Sequence, residues 1–85
     1  MNDPLVIELA NRWGKKIASD DSRPTQEKIR SMVVAAHGHE PIADQLLTFE
    51  QFLESQSIVH GSLDERAWSD LAHSLFNMKA FYFLR

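Results

Sequence analysis

Three clusters in this 85-residue chain hold side chains that could do chemistry. His37-Gly38-His39-Glu40, with Asp44 close behind, sets two imidazoles near two carboxylates. Such groups bind zinc when three or four of them converge under a second shell of hydrogen bonds. Here they straddle a glycine with the character of a helix stop, so the cluster reads as a polar turn between helices, and no metal is expected. Asp70 and His73, beside Ser69 and Ser74, carry the residue types of a hydrolytic triad. A triad also needs the nucleophile aimed at its base and amide donors for an oxyanion. Adjacent positions on a helix point in different directions, and no glycine-rich turn lies nearby. Asp70 and His73 therefore read as a solvent-facing helical pair worth a few tenths of a kcal/mol. Glu50 and Glu54 stand one turn apart, a spacing open to acid–base work or calcium. The loop of alternating oxygen ligands that calcium requires is missing. They read as a solvated acidic face that a basic partner could dock on. The expectation is a protein that is not an enzyme, with no cofactor and no small-molecule substrate.

The elements that must position these groups are helical. Asp3 and Pro4 form a conventional helix start, and Val6, Leu9, Ala10, Trp13 and Ile17 recur at helical spacing behind them. Gly14 interrupts that stripe at a cost of about 1 kcal/mol relative to alanine, which points to a close helix approach. After the polar cluster Ser19-Asp20-Asp21-Ser22, the residues Ile29, Met32, Val33 and Ala36 repeat the pattern up to Gly38. A third helix follows Pro41, with Ile42, Leu46, Phe49 and Leu53 on one face and Leu47 and Phe52 beside it. Thr48 with Gln51 would cap a break near Leu47, but the periodicity favours one continuous helix. The last segment begins with the capping pattern Ser62 to Glu65, and Trp68, Leu71, Leu75, Met78 and Tyr82 share a face. Residues 79–84 are aromatic enough for an edge strand, yet the spacing upstream favours helix. The predicted helices cover residues 4–18, 24–37, 41–57 and 62–84. The fold class is all-α, a single-domain small four-helix bundle that a second copy could intertwine with to form a homodimer.

Composition bounds the function. The chain has no cysteine, hence no disulfide and no thiolate site, and no stretch resembling a signal peptide or a membrane span. A cytoplasmic location with no membrane contact is the expectation. The net charge of −3 is unevenly placed: residues 31–65 hold six carboxylates and no Lys or Arg. That middle zone would repel phosphate and attract a basic partner. Arg12, Lys15, Lys16, Arg23, Lys28 and Arg30 gather before it, opposed by Asp20, Asp21 and Glu27. A helix-turn-helix is disfavoured, because its recognition helix would be the acidic third one.

Four of the eight aromatic residues fall within residues 76–83, so the last helix ends apolar on all sides. A helix of that kind must be covered on all sides, and in so short a chain a second copy or a partner can supply the cover. Trp68, Leu75, Phe76, Met78, Phe81, Tyr82 and Phe83 are accordingly the expected dimer or partner interface. The leading expectation is a small regulatory or adaptor protein acting through self-association and a protein partner. The alternative is a dimeric nucleic-acid-binding regulator that uses the six basic residues.

Overall fold

The structure, a computed structural model, describes residues 3–83 and, of their side chains, those as far as Met78. It is all-helical: α1 Pro4–Ala18, α2 Thr25–His37, α3 Ala43–His60 and α4 Glu65–Phe83, with no strand among the described residues.

Local chemistry explains each boundary. Asp3 accepts a hydrogen bond from the Leu5 amide (2.8 Å) and Pro4 opens α1. Beyond α1, Asp20 accepts from the Ser22 amide (3.0 Å) and from Arg23 Nε (2.8 Å), which shapes the connection to α2. Hydrogen bonds from Ser22, and then the Arg23 guanidinium, hold the Asp20 carboxyl below the usual carboxylate range. Gly38 and Gly61 end α2 and α3 in the left-handed conformation, φ 81° and 86°, which residues with a Cβ rarely adopt. α3 starts after Ile42, whose amide donates to the Gln45 side chain (3.1 Å), and it runs unbroken to His60. Thr48 caps nothing: its hydroxyl donates back to the Asp44 carbonyl (2.9 Å) inside the helix. The start of α4 corrects the sequence reading. Asp64, not Ser62, accepts from the Arg66 amide (2.9 Å), and the Ser62 hydroxyl donates to Asp64 instead (2.9 Å).

α4 is the helix on which the other three pack, and Ala67, Trp68, Leu71, Ala72 and Leu75 are its buried residues in the core. α1 lies antiparallel along it and makes the most extensive contact, with Trp13 tilted against Phe76 (ring centroids 5.5 Å apart). Gly14 is what permits this approach. A Cβ there would overlap the backbone nitrogen and Cα of Ser69, atoms that cannot rotate away. The covered face of α1 is therefore Ala10, Gly14 and Ile17, and Leu9 is left on the surface. α2 contributes Ile29, Met32, Val33 and Ala36, and α3 contributes Phe49 and Leu53.

Candidate functional site

Among the described residues, the clusters around His37 and Asp70 take part in contacts that hold the helices and turns. His37 donates from Nε2 to the Leu75 carbonyl (3.4 Å) and His39 from Nδ1 to the Glu40 carbonyl (3.0 Å), so the first imidazole ties the end of α2 to α4 and the second serves the turn after α2. Among the described residues no three His, Asp or Glu converge as metal ligands. Asp70 also reaches across to α3. It accepts from His60 Nε2 (2.7 Å) and Gln56 Nε2 (2.8 Å), clamping the end of α3 to α4. Ser69 faces α1 instead, where its hydroxyl donates weakly to the Asn11 carbonyl (3.5 Å). The Asp70 clamp joins residues ten and fourteen positions apart around a glycine turn, which no helical spacing announces.

The six basic residues occupy unlike settings. Lys28 is only 8% exposed, and its ammonium lies 5.4 Å from the centroid of the Trp68 ring. A cation over an aromatic face is attracted by the ring quadrupole, so this lysine belongs to the α2–α4 packing and not to the surface. Arg23 is held by Asp20 (2.8 Å), and Arg12 pairs with Glu8 (2.6 Å) on the outside of α1. Lys15, Lys16 and Arg30 are exposed. Lys15 and Arg12 share an open cleft of about 470 Å³ with His60, Glu65, Arg66 and Asp70, between α1 and α4. Arg66, which lies far from these six in the chain, joins them there. It is oriented by Asp64 (2.7 Å) and by donation to the His60 carbonyl (2.9 Å). Hydrogen bonds from its side chain in turn keep the Asp64 carboxyl below the usual range.

The expected interface residues also divide. Trp68 and Leu75 are fully enclosed within the core of the single chain, and Phe76 is partly buried against Trp13. Met78 is exposed, whereas the side chains of Phe81, Tyr82 and Phe83 lie outside the described residues. Two further groups of exposed apolar side chains bear on an interface. At the start of α1, Leu5 is 60% exposed and Leu9 lies one turn on. The second region is the outward side of α3. Leu47, Gln51, Glu54 and Ile58 follow one another at i, i+4, i+7 and i+11, so they share a face. Ile58 and Val59 at its end are 75% and 72% exposed. Asp44, Glu50 and Glu54 border this face.

The chain matches no protein-family model, no curated protein and no solved structure. No helix among the described residues is long and apolar enough to cross a membrane.

Proposed function

We propose that this chain is a non-catalytic binding protein, regulatory or adaptor in kind, which self-associates and docks a protein partner. The observation that carries this reading is the outward side of α3. Ile58 and Val59 stand adjacent and about three-quarters exposed, with exposed Leu47 three turns earlier, on a helix whose other face already supplies Phe49 and Leu53 to the core. Exposed apolar side chains rimmed by polar ones favour a macromolecular contact. Self-association is assigned to the exposed Leu5 and Leu9 of α1 together with the aromatic residues Phe81, Tyr82 and Phe83 of the last helix.

Solution mass tests this directly. Light scattering on the wild type is expected to give a dimer, and Phe81→Asp with Phe83→Asp, or Leu5→Asp with Leu9→Asp, is expected to dissociate it. A folded wild-type monomer at high concentration would remove self-association from the proposal.

A second reading, contact with nucleic acid, has a narrower basis: Lys15 and Lys16 are exposed without an ion pair among the described residues, and Arg12 and Arg66 border the same cleft as Lys15. Affinity for DNA would then fall steeply with salt and collapse in Lys15→Glu with Lys16→Glu. Unchanged binding in that variant removes this reading.

A further inference from the structure

Between the first turn of α2 and the middle of α3 runs an open groove of about 310 Å³, bordered by Thr25, Glu50, Leu53, Glu54, Ser57 and Leu63. Among the described residues no Lys or Arg lines it. Among the described residues neither glutamate has an ion-pair partner. Leu63, on the connection before α4, is 48% exposed. One turn beyond Glu54 the same helix presents Ile58, followed by Val59.

We infer that this groove receives a Lys or Arg side chain from an amphipathic, basic segment of a partner protein. The inference rests on the reading of the chain as a binding protein and names what one of its surfaces takes. Charge selects the sign of the guest. The start of α2 adds about half a positive charge from its helix dipole. Two full carboxylates on α3, together with Glu27 in that same first turn of α2, outweigh it. The apolar lining selects the shape. Leu63, half exposed at the rim, offers a surface for the methylene stem of a long cationic side chain, whose head group would reach Glu50 and Glu54. Ile58, one turn after Glu54 on the same helix, selects a macromolecule over a free small cation. A polyamine would satisfy the carboxylates and leave this apolar side chain in water, whereas a segment with an apolar residue next to its cation covers it too. A protein segment therefore uses the whole surface, with the basic residue as its anchor.

The test uses the full chain and a labelled synthetic amphipathic Leu/Lys peptide, with a Leu/Glu peptide and spermine for comparison. Affinity is read by anisotropy and location by amide chemical shifts. The expected result is saturable binding of the Leu/Lys peptide alone, with shifts clustered at residues 25–26, 50–57 and 63. Glu50→Gln with Glu54→Gln should weaken it about tenfold, as loss of two exposed charge contacts predicts. Asp21→Asn with Glu40→Gln, which removes the same charge elsewhere, should change it less than about twofold. Glutamine keeps the helix propensity of α3, and circular dichroism checks that the fold is intact.

Equal losses in the two double variants would overturn the proposal, leaving only bulk charge. Equal affinity for spermine overturns it as well, as does the absence of saturable binding. If affinity depends on Ile58→Asp with Val59→Asp but not on the glutamates, the groove assignment falls and the binding-protein reading stands. A monomer that takes the peptide on no face removes both. Shifts induced by unlabelled wild type itself, mapping to the groove, would make a second copy the occupant and also overturn the proposal.

Discussion

The contact of α1 with α4 and the outer side of α3 use apolar residues in opposite ways. Along α1, a glycine draws two helix backbones together, and Ala10, Gly14 and Ile17 all disappear beneath α4. Along α3, two residues, Phe49 and Leu53, are fully covered, and a polar clamp of Gln56, His60 and Asp70 secures the far end. Leu47, Ile58 and Val59 remain outside. The first region makes the fold, and the second leaves apolar surface unused by it. In a chain near the lower size limit for one unstapled core, every large side chain kept out of the core is a substantial omission.

Substitutions can break this contrast, and the largest effect belongs to the covered side of α3. Leu53→Ala should cost about 3 kcal/mol in chemical denaturation, the range for a buried leucine that leaves a cavity. A loss below about 1 kcal/mol would mean that α3 is held mainly by its clamp. Next comes the helix crossing. Gly14→Ala gains about 1 kcal/mol of helix propensity and loses more to overlap with the Ser69 backbone, for a net loss of about 2 kcal/mol. In a domain of this size the melting temperature should fall by roughly 8–16 °C. A rise in melting temperature would show that α1 and α4 do not approach as described.

Asp70→Ala should cost about 1 kcal/mol, since two part-exposed donors lose one acceptor, and it should loosen the end of α3 in hydrogen exchange. Ile58→Ser with Val59→Ser should change stability by less than about 0.5 kcal/mol, because water already surrounds both side chains. The same change should weaken partner capture, which is the sharpest form of the contrast. The smallest effect concerns the α1–α2 connection. The Asp20 carboxyl should titrate below its ordinary 3.8 in the folded chain. Its contribution to stability is then complete above the ordinary value and is lost as pH falls through the lowered one. Carbon-detected titration should place its midpoint below 3.8, and Ser22→Ala should move it back up.

Much of the helical frame was legible because period and caps agreed. Asp3-Pro4 and Gly38 act locally, and the apolar spacing of α2 matches the face that is buried, whereas α3 runs three residues past the expected end at 57, to His60 before Gly61. Gly14 was readable too, since a glycine inside a strong helical stripe weakens the helix and is tolerated where a second backbone must come close. α3 was harder, because Leu46, Leu47, Phe49, Phe52, Leu53, Ile58 and Val59 leave no side of the helix without an apolar residue. Its covered face is chosen by where α4 lies, which is information from elsewhere in the chain. The same holds for the surfaces. Lys28 was grouped with the other cations by type and neighbourhood, but it leaves the surface because Trp68 is within reach. Trp68 and Leu75 gave an aromatic-helix signal that core and interface share, and packing by α1 and α2 decided between them.

Leu63 borders the acidic groove on one side and, on the other, a cleft it shares with Lys15 and Arg66 and, balancing them, Asp64 and Glu65. It stands where an acidic lining gives way to a balanced one, on a molecule measuring only 34 × 30 × 22 Å. At 0.1 M salt, charges are screened beyond about 10 Å, so an approaching body responds to whichever face it meets. At 0.01 M the screening length grows to about 30 Å and spans the whole molecule, so the two faces are felt together and only their small sum remains. Ionic strength thus determines whether this protein meets its surroundings as an acidic side beside a balanced one or as one weakly acidic particle.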